Sequence, residues 1–283
     1  MLRIAIQAKG RLSDESLALL REAGIDVDDS KRKFLSRSSS FPAEILYLRD
    51  DDIPQAVAQG VADLGIVGYN EVSEREEAVD IVDRLGFGEC RISLAIPKAE
   101  EYQGLEYFNG KRIATSYPNI LGKFLKDNGI SAKINVITGS VEIAPAVGMS
   151  DAIFDIVSSG GTLVSNGLKE VEKVVFSEAV LISCGNLSED KAKLLEQIKF
   201  RFNAVRDSRG KKYLLMNIPN DRIEEAIRIV PAMRSPTVLP LAQSGWSSLH
   251  SVVDESVLWE KIESLKKIGA EGILVLSVEK MVL

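Results

Sequence analysis

With 283 residues the chain is too long for one small core, and two or three domains are expected. Hydrophobic residues at 45% and charged residues at 27% argue against both a disordered chain and a membrane protein. Thirty-five Lys and Arg against 41 Asp and Glu leave a net charge of −6, which argues against nucleic acid as a partner and leaves any phosphate work to local basic groups.

The first part of the chain alternates strand and helix signals: "LRIAIQA", the helix "SDESLALLREAG", "EILYLR", "DIPQAVAQG" and "ADLGIVG". This rhythm predicts an α/β domain with a largely parallel sheet. Ser13 is the predicted N-cap of the first helix, Leu12 and Leu17 its hydrophobic staple, and Gly24 its far cap. A second α/β unit is expected from about Leu94 to Val180, with "KRIATSYPN", the helix "NILGKFLKDNG", the strand "KINVIT" and a helix around "VEIAPAVG". The helix "SEDKAKLLEQIKFRF" follows, with Leu194, Leu195, Ile198 and Phe202 on one face, and is expected to return to the first lobe. "DSRGKK" reads as a linker. Beyond it "YLLMNIP", "DRIEEAIRIV", "TVLPL", "WSSLHSVVD", "VLWEKIESLKKIG" and "GILVLSVEKMVL" give the order βαββαβ of a ferredoxin-like module.

Cys90 and Cys184 have neither metal-ligand spacing nor a nearby His, and both read as core or incidental residues. The single His, His250, lies in an alternating stretch and leaves no His-based dyad or triad. The chain opens on a strand with no basic leader or apolar h-region, and no run reaches transmembrane length; a cytoplasmic location and no membrane partner are expected.

The segment from Glu142 to Leu163, "EIAPAVGMSDAIFDIVSSGGTL", is the most informative. Ala152 to Val157 reads as a buried strand carrying one charge, Asp155, and a buried carboxylate needs partners. Ser158, Ser159, Gly160 and Gly161 let the backbone turn tightly and aim its N–H groups inward, and Thr162 can open the next helix, a geometry that cradles a phosphate. An ordinary strand-to-helix turn with a hydrogen-bonded structural Asp is the alternative. The acid favours a ligand that offers hydroxyls as well as a phosphate, such as a ribose phosphate. Elsewhere, Lys9, Gly10 and Arg11 follow the first strand, Lys31, Arg32 and Lys33 form a second basic cluster, and Arg49 ends another strand. Each alone would be an ordinary solvated surface; together they favour a polyanionic ligand.

Glu142, Gly148, Ser150, Ile153, Asp155, Ile156, Ser159, Gly160, Thr162 and Leu163 match position by position the signature of the ATP phosphoribosyltransferases, the enzymes that open histidine biosynthesis. "KGRL", "LRDDDIP", "ADLGIVG", "FGECRISLAIP" and "RIATSYPN" resemble segments of the same family in the same order. The resemblance implies a two-lobed, periplasmic-binding-protein-like catalytic core, with lobe I at 1–93 and 181–207 and lobe II at 94–180. It also implies a ferredoxin-like (ACT-like) regulatory domain at 208–283, the mark of the long form. In the implied reaction, N1 of the adenine of ATP displaces pyrophosphate from 5-phosphoribosyl 1-pyrophosphate with inversion.

By the same resemblance, Ser158, Ser159, Gly160, Gly161 and Thr162 hold the donor's 5-phosphate, and Asp155 with Glu142 holds the ribose. Arg32 and Arg49 meet the departing pyrophosphate together with Mg²⁺, which is expected to arrive on that group; no protein metal ligand is named. Lys9, Gly10, Arg11 and Tyr117 belong to the active-site region. Histidine is the expected inhibitor, with contacts at Asn217, Met233, Thr237 and Gly272; the family places an acid at the first and Ala at the last. A homo-oligomer, dimer to hexamer, is expected. Two rivals share the architecture: a two-lobed solute-binding protein, which would carry an export signal, and a catalytically inactive regulatory subunit, against which Lys9, Arg32, Arg49, Asp155 and Thr162 count.

Overall fold

The computed structural model describes residues 1–27, 34–231 and 235–283, which divide into two units, Met1–Lys199 and Phe200–Leu283. The first unit runs β1 (Leu2–Gln7), α1 (Arg11–Glu22), β2 (Leu35–Arg37), β3 (Ala43–Leu48), α2 (Ile53–Ala58), β4 (Leu64–Gly68), α3 (Tyr69–Arg75) and β5 (Asp80–Arg84). It continues with β6 (Cys90–Pro97), β7 (Arg112–Thr115), α4 (Pro118–Asp127), β8 (Lys133–Val136), β9 (Ala152–Val157), α5 (Gly161–Ser165), β10 (Leu168–Ser177) and β11 (Ala179–Ser183).

Two sheets result, ordered β2-β3-β1-β4-β11-β5 and β10-β6-β9-β7-β8. Strands β1, β3 and β4 are parallel, as are β7, β8 and β9, and each parallel set is flanked by antiparallel strands. Leu2, Ile4, Ile6, Ile45, Leu64 and Ile66 are fully buried, as expected of parallel strands covered on both faces. The chain leaves the first sheet at Arg84, enters the second at Cys90 and returns at Glu178. The two crossings are tied together: the Leu85 N–H donates to the Ala179 carbonyl at 2.9 Å and the Ala179 N–H to the Phe87 carbonyl at 2.8 Å.

Helix α6 (Glu189–Ser208) spans the division between the units. On the first-unit side its Lys191 pairs with Asp63 of the first sheet at 2.6 Å. The second unit continues with β12 (Lys211–Pro219), α7 (Ile223–Ile229), β13 (Thr237–Pro240), β14 (Trp246–Asp254), α8 (Leu258–Lys267) and β15 (Glu271–Ser277). Its antiparallel sheet has the order β13-β14-β12-β15, the ferredoxin-like arrangement. Alternation along the strands puts Leu214, Met216, Ile218, Leu249 and Val253 in one core with Ala226, Leu258 and Leu265. His250 is a strand residue, as its alternating context predicts.

Several local expectations are corrected. Helix α1 begins at Arg11 with Gly10 at its cap (φ 102°), so Ser13 lies buried inside the helix and is not its N-cap. Leu12 and Leu17 then both lie within the helix and form no staple across its start. Gly24 does adopt the left-handed φ of 71° that ends the helix. "VEIAPAVG" forms no α-helix: a single 3-10 turn, Val141–Ile143, precedes Pro145, which has no N–H to continue the ladder, and Gly148 turns away at φ 75°. "DSRGKK" is not a linker, because α6 runs to Ser208 and β12 starts at Lys211, with Gly210 (φ 69°) making the turn. The last strand stops at Ser277, short of the apolar end of the sequence.

Candidate active site

The signature segment folds as a strand, a tight turn and a short helix. Gly160 sits at φ 82°, a left-handed conformation that glycine adopts without strain, and caps α5. The Ser158 carbonyl is taken by the Arg91 guanidinium at 3.0 Å, and the Gly161 N–H leans on the Ser159 hydroxyl at 3.5 Å. Among the described residues, the N–H groups of Ser159, Gly160 and Thr162 meet no protein acceptor. Ser158, Ser159, Gly161 and Thr162 are exposed. Backbone N–H donors with no acceptor of their own are suited to an anion.

Asp155 precedes this loop on β9, paired across the sheet with Ser93. It is half-buried, and no side-chain donor reaches its carboxylate among the described residues. Burial pushes its carboxyl up to about 6; the Ile156 N–H opposes that shift and the negative charge of Glu142 adds to it. The alternative of a hydrogen-bonded structural Asp is therefore not what the fold builds: among the described residues Asp155 is short of side-chain donors and feels the charge of a second carboxylate. Hydroxyl donors from a ligand would complete it.

Two of the three cationic candidates lie at the carboxyl ends of first-sheet strands. Lys9, Gly10 and Arg11 follow β1, with Lys9 exposed and Arg11 reaching the Glu89 carbonyl at 3.4 Å and Glu15 at 3.9 Å. Arg49 follows β3 and pairs with Asp51 through Nε at 3.1 Å and Nη2 at 3.3 Å. Arg32 lies outside the described residues.

Tyr117 is buried at the start of α4, and its hydroxyl belongs to a network that the sequence reading missed. It donates to Glu71 Oε1 at 2.9 Å, while the Asn70 amide donates to the Tyr117 oxygen at 3.1 Å and to Glu71 Oε1 at 2.9 Å. Asn70 Oδ1 in turn accepts from Ser177 at 2.8 Å. Burial, reinforced by the Glu71 charge, raises the Tyr117 phenol far above its ordinary value. On its other side Glu71 faces Arg75 at 3.7 Å, and Arg75 faces Asp51, the partner of Arg49, at 3.5 Å. The network thus joins Arg49 on the first sheet to Tyr117 on the second, and the Asp155 charge is also felt at the Tyr117 phenol. One turn on, buried Glu74 accepts the N–H groups of Asn119 and Ile120 at 2.9 and 3.0 Å and so caps α4 across the two sheets. The signal that could have revealed these residues is positional: Asn70 and Glu71 sit in the first turn of the helix that follows the buried strand "LGIVG", at the carboxyl end where open α/β sheets gather ligands.

In the second unit, Asn217 of β12 and Gly272 of β15 are neighbours. A Cβ on Gly272 would stand 3.1 Å from Asn217 Nδ2, and Gly272 holds φ 59°. Asn217 is paired with Ser248, and Thr237 with His250, whose ring bonds to Ser248 at 3.0 Å and Tyr213 at 2.7 Å. Met233 lies outside the described residues. A cavity of about 550 Å³ in this unit, lined among others by Arg206, Lys211, Val230, Val253 and Lys261, does not include Asn217, Thr237 or Gly272. Among the described residues no group of three or more His, Cys, Asp or Glu could hold a metal ion, and no helix is long and apolar enough to cross a membrane.

Comparison with known proteins agrees with this arrangement. The ATP phosphoribosyltransferase family profile matches residues 49–204, and the profile described as HisG, C-terminal domain, matches residues 208–280. Proteins named ATP phosphoribosyltransferase from Bacteroides thetaiotaomicron and Bacteroides fragilis are 61% and 60% identical, each over 100% of both chains. Among solved structures, the ATP phosphoribosyl transferase (HisG:HisZ) complex from Thermotoga maritima superposes with a TM-score of 0.61 at 27% identity, covering 71% of this chain and 98% of that one. The chain belongs to the ATP phosphoribosyltransferase family.

Proposed function

We propose that the chain joins ATP to 5-phosphoribosyl 1-pyrophosphate, the first step of histidine biosynthesis. The adenine N1 forms a bond to the anomeric carbon, the bond from that carbon to the pyrophosphate oxygen breaks with inversion, and its electron pair leaves with pyrophosphate. The observation that carries this reading is Asp155, a half-buried carboxylate short of side-chain donors among the described residues, with Ile156 and Val157 between it and a loop in which the N–H groups of Ser159, Gly160 and Thr162 meet no acceptor among them. A ribose 5-phosphate supplies what each lacks: hydroxyls for the acid and an anion for the loop.

In this reading the loop from Ser158 to Thr162 takes the 5-phosphate, and Asp155, with Glu142 beside it, takes the ribose hydroxyls. Arg49 and Arg32 neutralise the charge that builds on pyrophosphate, and Lys9, Gly10, Arg11 and Tyr117 line the region where ATP is brought to the donor. The task is positioning two anionic substrates and stabilising a leaving group, which needs no side-chain nucleophile. Mg²⁺ keeps most of its water and takes few protein ligands, so in this reading it arrives on the donor's pyrophosphate and no protein ligand is assigned to it. When bound with the donor it supplies charge neutralisation for the pyrophosphate. Residues 208–283 act in this reading as a histidine-sensing domain, with contacts at Asn217, Met233, Thr237 and Gly272, in a cytoplasmic homo-oligomer. The carboxamide of Asn217 accepts from a ligand amine without the charge assistance of an acid.

The test is direct. Incubation with ATP, 5-phosphoribosyl 1-pyrophosphate and Mg²⁺, with a pyrophosphatase to draw the reaction forward, is expected to yield phosphoribosyl-ATP. Absence of product overturns the activity, and product formation indifferent to histidine overturns only the sensing role.

A further inference from the structure

Arg91 lies on β6, where the chain has just crossed into the second sheet, paired with Val157 at the end of β9. Its guanidinium makes a fork with Glu170 of β10, Nε to Oε1 at 2.5 Å and Nη2 to Oε2 at 2.6 Å, and Ser93 adds a hydroxyl bond to Glu170 Oε1 at 2.6 Å. Both charged side chains are about one-fifth exposed, and each is drawn further toward its charged form by the other. This leaves Nη1, which donates to the Ser158 carbonyl at 3.0 Å.

The consequence follows from peptide geometry. In a planar trans peptide the carbonyl and the following N–H point in opposite directions. Fixing the Ser158 carbonyl toward Arg91 therefore aims the Ser159 N–H away from Arg91, and that N–H has no protein acceptor among the described residues. Gly160, at φ 82°, and Gly161 restrain the backbone little by themselves; the Val164 N–H holds the Gly160 carbonyl at 3.1 Å on the helix side, and the Arg91 bond fixes the Ser158–Ser159 peptide on the strand side. A bidentate Arg–carboxylate pair is a rigid anchor, and a Lys in its place would not reproduce the fork.

We propose that Arg91 is a positioning residue for the phosphoribosyl-donor loop, with Glu170 as the brace that holds it. Arg91 acts through the Ser158 carbonyl and need not touch the substrate. The inference rests on the reading of this loop as the 5-phosphate site and names two residues for it that lie outside the signature segment.

The experiment titrates 5-phosphoribosyl 1-pyrophosphate and, separately, pyrophosphate into the full-length wild type, Arg91→Gln and Glu170→Gln, and measures the kcat and KM of each protein. The loop serves only the 5-phosphate, so Arg91→Gln is expected to weaken binding of the donor about tenfold, as for loss of a charge-assisted hydrogen bond. Pyrophosphate affinity is expected to stay within twofold, and the KM for the donor to rise more than kcat falls. Glu170→Gln leaves Arg91 in place without its brace and is expected to show the same selectivity at threefold or more; it carries the test alone if Arg91→Gln does not fold. Donor affinity within threefold of wild type in the folded variants, or equal weakening of both ligands, overturns the positioning role. Wild-type protein that binds no donor at all overturns the loop reading instead.

Discussion

Two polar clusters within the first unit have opposite construction. Around Tyr117 every polar group is answered by another: Glu71 accepts from the phenol and from Asn70, Asn70 accepts from Ser177, and Glu74 accepts two helix N–H groups. Around Asp155 the groups are left open: among the described residues no side-chain donor reaches the carboxylate, and the N–H groups of Ser159, Gly160 and Thr162 meet no acceptor. A buried polar network stabilises only when its members are satisfied. Burial raises the Glu71 and Glu74 carboxyls as well, but there the Tyr117 hydroxyl and the Ile120 and Asn119 N–H groups oppose the shift and tie the two sheets to each other, while at Asp155 no side-chain donor among the described residues does so and a ligand can complete it. Substitutions should accordingly move stability in opposite directions at the two places.

Glu71→Ala is expected to have the larger effect. It removes the acceptor of the buried Tyr117 hydroxyl and one of the two acceptors of the Asn70 amide and should cost about 3 kcal/mol, whereas Glu71→Gln, which keeps an acceptor, should cost less. Thermal unfolding should fall by roughly 5–10 °C for Glu71→Ala, and an unchanged midpoint would break the comparison.

Asp155→Asn should do the reverse. The carboxyl ionises at about 6 in the fold against 3.8 for an ordinary Asp, so the folded state binds more protons between those values and loses stability as pH rises through that window. Removing the charge is expected to stabilise the ligand-free protein at pH 7 by up to ~3 kcal/mol, with the gain fading as pH falls from about 6 and nearly gone by about 4. Denaturant unfolding at several pH values reads this, and a substitution that destabilises at pH 7 would place Asp155 with the structural cluster instead.

Smaller effects sharpen the contrast. Gly160→Ala meets no clash, since the nearest side-chain atom to its Cβ is 3.9 Å away, but it must hold φ 82°. A strain of about 1 kcal/mol should appear as a several-fold weaker affinity for the phosphoribosyl donor. In the second unit, Asn217→Asp restores charge assistance for a ligand amine and should increase histidine inhibition a few-fold in a turnover assay. Unchanged inhibition would remove Asn217 from the proposed sensor.

The difference between the clusters also explains what was legible beforehand. Strands such as β1 and β9 announce themselves as short apolar runs bounded by turn residues, and the open loop carries its glycines in fixed order beside the acid. Glu71 and Glu74 gave no such sign. They sit in "YNEVSEREE", a stretch that reads as a solvated helix, and they are buried only because the second sheet brings Tyr117 and the start of α4 onto them. Arg91 was hidden similarly, since its partners Glu170 and Ser158 are 79 and 67 residues away. Local patterns also misled where one residue overruled a periodicity: Pro145 in the expected helix around "VEIAPAVG", and Gly10, whose turn starts α1 ahead of Ser13.

The central claim is that Asp155 is kept incomplete for the sake of the phosphoribosyl donor. It is tested most directly by the turnover of Asp155→Ala with ATP, 5-phosphoribosyl 1-pyrophosphate and Mg²⁺, measured beside the wild type with circular dichroism to verify folding. A folded protein whose kcat/KM for the donor is reduced by roughly a thousandfold or more is expected. A folded Asp155→Ala with activity near that of the wild type would contradict it.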